Sequence, residues 1–343
     1  MERKPTMNDV ARVARVGTMT VSRVLNGSAN VTEETAKRVY HAIEKLGYRP
    51  NEMARALRSL KSRTIGLIVP YLYDPFFATC AHAVNTVARE HGYSVILTTS
   101  NEDPATEYAE AQSMLQRHVE GLLVIPADIR RSRVSQAEFA GTHIVTLDRP
   151  VHDARIDSVQ VQNQSGAKRA VQHLIQQHGH KRIFFLGFNK NLYTVRARFE
   201  GYRRAMQEAR LDQQSTFDCS SEEATAEIVS SELNSKNPPT AFFTANNLTT
   251  RYTLRALIES GVHVPEQVAL IGFDDFELAE ILHPTLTVVR QPASELGRVA
   301  ANLLFDRIKR DEFPDEGNRV VLPVELVIRR SCGCKTKHTR AIV

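Results

Sequence analysis

The sequence lacks long apolar runs and has few cysteines. No run approaches the roughly 20 apolar residues that span a bilayer, and the N-terminal segment MERKPTMNDVARV contains no apolar stretch of the kind that directs export. Four cysteines in 343 residues do not make a disulfide framework. We therefore expect a cytoplasmic protein with no membrane partner.

The sequence also lacks the short motifs of common enzyme and metal sites. It contains no GxSxG, no phosphate-binding loop, no HExxH and no GxGxxG that follows a predicted strand. The segment SCGCKTKH, residues 331–338, offers Cys332, Cys334 and His338. These are at most three ligands, whereas a structural zinc site has four. We expect no enzyme, no cofactor and no bound metal.

The positive charge is concentrated near the N-terminus. Residues 1–63 contain 13 Lys and Arg against 6 Asp and Glu, whereas the remaining 280 residues contain 31 against 33. A basic segment attached to a near-neutral body indicates that the segment meets a polyanion such as DNA. A solvated basic surface without a partner has the same charge count, so the inference needs support from a motif.

The basic segment contains three short helical patterns. Thr6 is placed to cap the first, the segment TMTVSRVLN forms the second after Gly17, Thr32 is placed to cap the third, and Gly47 ends it. Two short helices joined by a tight turn, with a third packed behind them, are typical of a helix-turn-helix DNA-binding domain.

The second helix presents polar and extended side chains on its outer face: Thr18, Met19, Ser22, Arg23 and Asn26. Hydroxyl and amide groups suit phosphate oxygens, and an arginine can reach both acceptors of a guanine in the major groove. A three-helix protein-interaction module has the same outline, but this set of side chains beside a basic surface favours DNA.

These residues also carry a family resemblance. The segment MNDVARVARVGTMTVSRVLNGSANVTEETAKRVYHAIEKLGYRPNEMARALRS resembles the DNA-binding head of the lactose/galactose repressor family, and the resemblance continues to about residue 334. It implies a homodimer, or a dimer of dimers, whose heads read a pseudo-palindromic operator in double-stranded DNA.

The resemblance implies a role for each matched position of the head. Thr18 and Met19 fall where the family varies its base contacts, and Arg23 falls at its common base-reading arginine. The positions that contact the DNA backbone match Thr20, Ser22 and Asn26, and we add Thr6 to this DNA-binding set.

Two positions of the turn depart from the family pattern. Arg15 stands where the family has a glycine that eases a sharp turn, and Gly17 stands where it has a capping serine. Glycine is only a few tenths of a kcal/mol worse than serine as a cap, while a non-glycine residue with positive φ costs about 1 kcal/mol. We expect the second helix to form but to be less firmly held.

The short segment NEMARALRSLKS joins the head to the rest of the chain. Asn51 is placed to cap it, but the segment is under the roughly 12–15 residues that hold a helix alone in water. The resemblance implies that two such hinge helices pair in the minor groove, with Leu57 of each wedged into the central base step and Arg55 and Arg58 beside it. A passive basic linker is the alternative.

From Thr64 onwards, short apolar runs alternate with amphipathic segments. Runs such as TIGLIVP, RIFFLGF and VALIGFDD predict buried parallel strands with helices on both faces. A break between about residues 150 and 158 predicts two doubly wound α/β subdomains behind the all-α head. The predicted boundaries are 1–49 for the head, 50–63 for the hinge, about 64–155 with 292–320 for subdomain 1, about 156–290 with 321–334 for subdomain 2, and 335–343 for the tail.

Ligands bind such sheets outside the carboxyl ends of the strands, where this sequence places acidic, basic, amide and aromatic side chains. We predict an effector site formed by Tyr73, Asp74, Phe76, Phe77, Asp148, Arg149, Arg198, Asn246, Asp274 and Gln291. Carboxylate and guanidinium groups bind vicinal hydroxyls, and aromatic faces stack on a sugar ring. The body also resembles the periplasmic pentose- and hexose-binding proteins, in which all of these positions except Tyr73 match sugar ligands. Asn247 departs from the aspartate often found there.

Together these features predict a ligand-responsive transcriptional regulator that represses genes for carbohydrate uptake or catabolism. The expected effector is a sugar or sugar derivative that closes the two subdomains and so changes whether the hinge segments of a dimer fold together. Inducer and corepressor action both fit this scheme. The alternative is a cytoplasmic solute-binding protein or small-molecule enzyme with a basic N-terminal module.

Overall fold

The structure, a computed structural model, describes residues 5–25, 31–48, 62–335 and 339–341. The chain divides into two compact units, Met1–Ser62 and Arg63–Val343. Five residues predicted to bind DNA lie outside the described residues: Asn26, Asn51, Arg55, Leu57 and Arg58.

The described residues of the N-terminal unit form three helices, α1 (Met7–Ala14), α2 (Thr18–Leu25) and α3 (Glu33–Leu46). One valine from each helix, Val10, Val21 and Val39, is fully buried where the three helices meet. The backbone N–H of Thr6 donates to Asp9 Oδ2 at 2.9 Å, which closes the first turn of α1. The short helices are therefore held by caps and by one small apolar core.

The turn between α1 and α2 explains the two departures from the family pattern. Arg15 adopts the left-handed conformation, with φ 53° and ψ 48°, so it carries the strain that a glycine would avoid. The carbonyl of Gly17 accepts from the N–H groups of Thr20 and Val21 at 2.9 and 3.2 Å, so Gly17 occupies the capping position directly before α2. A Cβ at Gly17 would meet no atom within 4 Å.

The C-terminal unit contains two sheets with helices on their faces. The first sheet has the order β11-β5-β4-β3-β1-β2, and its strands are all parallel. Its strands are β1 (Thr64–Val69), β2 (Ser94–Thr99), β3 (Gly121–Val124), β4 (His143–Leu147), β5 (Asp157–Val161) and β11 (Arg319–Leu322), and its helices are α4 (Pro75–Glu90), α5 (Pro104–Gln116) and α10 (Ala293–Arg310).

The second sheet has the order β13-β12-β10-β9-β8-β6-β7 and is parallel except at β12 and β13. Its strands are β6 (Ile183–Leu186), β7 (Gln214–Thr216), β8 (Ala241–Thr244), β9 (Ala269–Phe273), β10 (Thr287–Arg290), β12 (Glu325–Ile328) and β13 (Thr339–Ala341), and its helices are α6 (Asn163–His178), α7 (Tyr193–Glu208), α8 (Glu222–Leu233) and α9 (Asn247–Glu259). Among the described residues no helix is long and apolar enough to cross a membrane.

The chain crosses between the two sheets at three places, and the first lies later than predicted. The predicted boundary at 155/156 was wrong, because β5 pairs in parallel with β4 of the first sheet. The predicted boundary at 320/321 was also wrong, because β11 pairs with β5 as far as Leu322. Asp157 at the start of β5 accepts hydrogen bonds of 2.8 and 2.9 Å from Arg307 of α10, which tie β5 to the first subdomain. The other crossings lie between β10 and α10 and between β11 and β12.

The strained turn before α2 predicts a stability difference between two substitutions of Arg15. Arg15→Gly and Arg15→Ala remove the same exposed charge, but only glycine relieves the positive φ. We expect Arg15→Gly to stabilise the head by about 1 kcal/mol relative to Arg15→Ala, which slows hydrogen exchange about fivefold. Hydrogen-exchange mass spectrometry of the full chain, on peptides covering α1 and α2, measures this. Equal exchange in both variants would show that the turn is not strained.

Candidate functional site

The outer face of α2 presents the side chains predicted to read DNA. Val21 and Val24 point into the core of the head and are buried. Met19 is 70% exposed although it is apolar, and Thr18 and Arg23 are also exposed. Thr20 and Ser22 are half-buried at the edges of this face. The helix therefore has one face packed and one face available to a partner.

Most of the predicted effector residues lie on loops at the carboxyl ends of strands in the two sheets, whereas Phe76 and Phe77 lie in α4 and Arg198 lies in α7. Asp74 follows β1 and Asp148 follows β4 in the first sheet, while Asn246 follows β8 and Asp274 follows β9 in the second. This is the edge at which open parallel sheets bind ligands. The two subdomains face each other here, and we call the space between them the cleft.

Asp148 and Asp274 occupy equivalent turns in the two subdomains. Each directly follows its strand and has a positive φ, 66° for Asp148 and 75° for Asp274. Each backbone N–H then donates to a neighbouring strand, to Val159 O at 2.8 Å and to Val289 O at 2.9 Å. Non-glycine residues in this conformation are strained and cluster at functional sites. The same strained turn thus presents one buried carboxylate from each subdomain.

Arg198 of α7 is the buried cation of the second subdomain and is 3% exposed. Its Nε donates to Asn163 Oδ1 at 2.8 Å, and its Nη1 donates to Ala245 O at 2.8 Å and lies 3.3 Å from Asp274 Oδ2. Its guanidinium carbon lies 3.8 Å from the centroid of the Phe273 ring. These contacts fix the carboxylate of Asp274 at the cleft.

Arg149 plays the corresponding part in the first subdomain. Its Nη1 and Nη2 donate to the two oxygens of Glu102 at 2.5 and 2.8 Å, its Nε donates to Asp148 Oδ2 at 3.1 Å, and Nη1 also donates to Pro126 O. With its donors directed at protein atoms, Arg149 fits a positioning role for Asp148 rather than the ligand contact expected from the sequence. Sequence reasoning missed Glu102, which lies 47 residues from Arg149.

Two buried acceptors at the cleft find no hydrogen-bond donor in the described chain. They are Asp148 Oδ1 and Gln291 Oε1. The amide nitrogen of Gln291 donates to Asp274 Oδ1 at 2.5 Å, so its oxygen is held in one orientation. An unsatisfied buried acceptor costs roughly 1–3 kcal/mol. A ligand that offers hydroxyl or amino hydrogens would remove this cost.

Hydrogen bonds also join the two subdomains across the cleft. Asn247 Nδ2 donates to Asp74 Oδ1 at 3.0 Å, and the Tyr193 hydroxyl donates to Gln160 Oε1 at 2.7 Å. Asp74 also caps α4 by accepting from Phe76 N at 2.9 Å. Tyr193 and Gln160 were missed from the sequence, because only the tertiary fold brings them together. The described cleft is therefore closed at these two points.

Burial dominates the electrostatics of the two first-subdomain carboxylates. It raises the pKa of Asp148, although Arg149 and Arg198 act in the opposite direction. Burial also raises the pKa of Asp74, the charge of Asp274 adds to this, and hydrogen bonds from Phe76 and Asn247 oppose it. Burial in the fold therefore disfavours the ionised form of both carboxyl groups.

The aromatic residues and the remaining amide have less uniform surroundings. Phe76 and Phe77 pack edge to face, with ring centroids 5.3 Å apart. Tyr73 is 71% exposed and stacks on Tyr71, which places it at the rim. The side chain of Asn246 caps α9 by accepting from Thr249 N at 2.9 Å. A cavity of about 750 Å³ is lined by Phe76, Asp274 and Gln291 and by other residues of both subdomains.

A separate polar cluster lies at the C-terminal segment, away from the cleft loops. Cys332 and Cys334 lie beside His173 and His178 of α6, and their four candidate ligand atoms lie within 4.8 Å of one another. The count of at most three ligands was wrong, because the two histidines come from a helix far earlier in the chain. His338, the third candidate from the sequence, lies outside the described residues.

The raised pKa of Asp148 predicts a gain in stability from Asp148→Asn at neutral pH. A carboxyl group whose pKa is higher in the folded state than in the unfolded state stabilises the fold when it is protonated. This contribution is complete below the unfolded-state pKa and is lost as the pH rises through the folded-state pKa. Asparagine tolerates the left-handed turn. We expect the ligand-free variant to exceed the wild type in free energy of unfolding near pH 7.5, and the difference to shrink towards pH 4. Urea denaturation at several pH values measures this.

Asp153→Asn is the matched control for that experiment, and we expect it to change the free energy of unfolding in the opposite direction. Hydrogen bonds from Arg155 lower the pKa of Asp153 to about 2. The ionised carboxylate therefore stabilises the fold at pH values above the unfolded-state pKa, and this contribution is lost as the pH falls towards about 2. Asp153→Asn should therefore be less stable than the wild type at neutral pH. A destabilised Asp148→Asn protein at pH 7.5 would contradict the prediction for Asp148.

Comparison with known proteins agrees with both units of the chain. Residues 6–51 match the family described as bacterial regulatory proteins, lacI family, and residues 171–332 match the periplasmic binding protein-like domain. The HTH-type transcriptional repressor PurR of Aliivibrio salmonicida (strain LFI1238) is 32% identical over 311 residues, which cover 89% of this chain and 92% of that protein. PurR of Haemophilus influenzae (strain PittEE) is 32% identical over 331 residues, covering 95% and 98%.

Solved structures of similar proteins share the fold over almost the whole chain. The transcriptional regulator CelR in complex with cellobiose has a TM-score of 0.69 at 30% identity, covering 95% of this chain and 99% of that one. The lac repressor dimer bound to operator and the anti-inducer ONPF has a TM-score of 0.83 at 24% identity, covering 96% and 99%. The all-α helix-turn-helix head and the core of two parallel-sheet subdomains, both predicted from the sequence, are confirmed. The chain therefore belongs to the lacI family of bacterial regulatory proteins and is a DNA-binding transcriptional repressor, not an enzyme, that works in the cytoplasm where bacterial chromosomal DNA lies.

Proposed function

We propose that this repressor acts as a homodimer on genes for carbohydrate uptake or catabolism and that a sugar or sugar derivative bound in the cleft is its effector. The observation that carries this proposal is the pair of buried, strained carboxylates, Asp148 and Asp274, one from each subdomain. A ligand that donates to both would hold the two subdomains together.

Vicinal hydroxyls are the ligand groups that suit this cleft best. Asp148 Oδ1 and Gln291 Oε1 need donors, and a polyol supplies several donors at short spacing. Two similar regulators support the same class of ligand, because CelR was solved with cellobiose and a LacI-family regulator from Enterococcus faecium, 26% identical, was solved with ribose. The contacting set we propose is Asp74, Phe76, Phe77, Asp148, Arg198, Asp274 and Gln291, with Tyr73 and Asn246 at its edge and Arg149 in a positioning role.

DNA reading is assigned to the exposed face of α2. We propose that Arg23 reads a base common to operators of the family, and that Thr18 and Met19 choose among the neighbouring bases. Thr20 and Ser22 flank this face and suit the DNA backbone, and Thr6 precedes α1, whose first N–H groups favour a phosphate. For Asn26, Asn51, Arg55, Leu57 and Arg58, the proposed DNA contacts rest on the sequence resemblance alone.

The effector acts by shifting an equilibrium between open and closed clefts. Each cross-cleft hydrogen bond, Asn247 to Asp74 and Tyr193 to Gln160, exists only when the subdomains are close together. A net hydrogen bond contributes only about 1 kcal/mol, so the ligand-free equilibrium is easily shifted. A ligand that binds the closed cleft more tightly moves the population towards it.

Arg23→Ala tests the DNA-reading assignment. A bidentate arginine–guanine contact supplies about 1–3 kcal/mol of discrimination, so affinity for an operator selected from random duplexes should fall roughly 5- to 150-fold. Affinity for scrambled DNA should fall far less. Fluorescence anisotropy at two salt concentrations measures both.

Arg12→Ala is the control for the charge removed with Arg23. Arg12 is an exposed arginine of α1 that pairs with Asp9 at 2.8 Å. Arg12→Ala should lower the affinity for the selected operator and the affinity for scrambled DNA by similar small factors. If Arg23→Ala lowered the affinity for both DNAs by the same factor, Arg23 would be a phosphate contact and the base-reading assignment would be wrong.

A thermal-shift screen with the full chain tests the effector class. The panel contains ribose, cellobiose, other pentoses and hexoses, sugar acids, sugar phosphates and, as planar ligands, purine bases. A ligand at 100 times its Kd adds about 2.7 kcal/mol to the free energy of unfolding. We expect a polyol to raise the melting temperature, and Asp274→Asn to weaken its binding at least tenfold in calorimetry.

Asp275→Asn is the matched control, because it alters the adjacent carboxylate. Asp275 also lines the cavity, but both of its carboxylate oxygens are bound by Arg290 and Arg329. Burial alone would raise its pKa, but these two arginines outweigh burial and lower it. Asp275→Asn should lower stability and leave ligand affinity unchanged. Stabilisation by a purine base and by no polyol would overturn the sugar assignment.

A further inference from the structure

Four potential metal ligands converge where the C-terminal segment passes α6. His173 and His178 lie in the last two turns of α6, and Cys332 and Cys334 lie between β12 and β13. All four candidate ligand atoms lie within 4.8 Å of one another. None of these residues belongs to the cleft or to the DNA-reading face, so the proposed function does not account for the cluster.

The distances within the cluster have the size of a tetrahedral metal site. His173 Nε2 lies 3.4 Å from Cys332 Sγ and 3.6 Å from Cys334 Sγ, and His178 Nε2 lies 3.3 Å from Cys334 Sγ. Zinc binds sulfur at about 2.3 Å and imidazole nitrogen at about 2.0–2.1 Å, so tetrahedral geometry separates N and S ligands by roughly 3.5 Å. The three measured separations agree with this value.

The backbone at Gly333 is specialised for this arrangement. Gly333 has φ +102°, a conformation that side chains rarely adopt, and a Cβ at this position would lie 3.1 Å from Nδ1 of His178. Glycine therefore allows the Cys-Gly-Cys turn to present both sulfurs towards α6 while its backbone approaches the His178 ring. A hydroxyl hydrogen bond from Thr287 to Cys332 Sγ, 3.2 Å long, adds an outer contact of the kind that orients metal ligands.

We propose that His173, His178, Cys332 and Cys334 bind one zinc ion. Two thiolates and two imidazoles in tetrahedral geometry select zinc among the common divalent ions, whereas magnesium and calcium prefer oxygen ligands. Four protein ligands complete the coordination shell, which makes the site structural. Zinc would fasten the C-terminal segment that follows β12 to α6.

Metal content and ligand geometry can be measured on the reduced full-length protein. After dialysis against EDTA and reconstitution with Zn²⁺, mass-spectrometric elemental analysis should find one zinc per chain. Reconstitution with Co²⁺ should produce the visible absorption of tetrahedral cobalt and a thiolate-to-cobalt charge-transfer band. Zinc should also slow amide exchange in peptides covering residues 325–335.

Two ligand variants and two matched controls identify the residues. Cys334→Ser and His178→Gln should each lower zinc affinity at least tenfold and abolish the cobalt charge-transfer band or alter its intensity. Cys219→Ser changes a buried cysteine outside the cluster, and His180→Gln changes a histidine whose ring centroid is 6.2 Å from that of His178. Both controls should bind zinc as the wild type does.

Three results would overturn the proposal. They are a reconstituted wild type that retains no stoichiometric zinc, ligand variants that bind zinc as tightly as the wild type, and controls that lose zinc as the ligand variants do. Circular dichroism of the metal-free proteins shows whether a variant has unfolded. If Cys334→Ser does not fold, His178→Gln decides the outcome, because it alters a half-buried side chain at the end of α6.

Discussion

The second-subdomain side of the cleft depends on the hydrogen bonds of one buried guanidinium group, that of Arg198. A guanidinium that is 3% exposed must be paired and hydrogen-bonded, because an uncompensated buried charge costs several kcal/mol. Its partners come from three separate elements: Asn163 at the start of α6, Ala245 after β8 and Asp274 after β9. One side chain thus sets the relative positions of the start of α6 and of the loops after β8 and β9. The strained turn at Asp274 persists because these contacts hold it.

The first subdomain holds its own carboxylate in a similar way, because Arg149 binds both Asp148 and Glu102. Arg149 uses its donors on Glu102, Asp148 and Pro126, which leaves one oxygen of Asp148 without a partner in the described chain. Rigid halves with few direct bonds between them are the condition for a ligand-controlled hinge. In the function proposed above, a ligand that binds the closed cleft more tightly than the open one shifts the population towards closure.

The sequence predicted what depends on local pattern and missed what depends on long-range pairing. Helix caps, the alternation of apolar runs and the carboxylates that follow strands are all local, so the head, the two sheets and Asp274 could be identified. The first crossing was misplaced because the salt bridge from Asp157 to Arg307 spans 150 residues. Glu102 and Tyr193 were missed for the same reason, since no periodicity marks a residue whose partner lies on another element.

The C-terminal segment is tied to the loop after β9 by an ion pair between Arg329 and Asp275. Arg329, which is 1% exposed as a side chain, binds both oxygens of Asp275, and Asp275 follows Asp274 directly. Three residues further on, Cys332 reaches α6 through His173. The two adjacent carboxylates therefore have different partners, because Asp274 is bound by Arg198 and Gln291 whereas Asp275 is bound by Arg329 of the C-terminal segment. The cleft is lined by carboxylate and amide oxygens, whereas the cluster of His173, His178, Cys332 and Cys334 offers sulfur and imidazole nitrogen. Zinc prefers the second set of ligand atoms, so zinc and a polyol would not compete for one site.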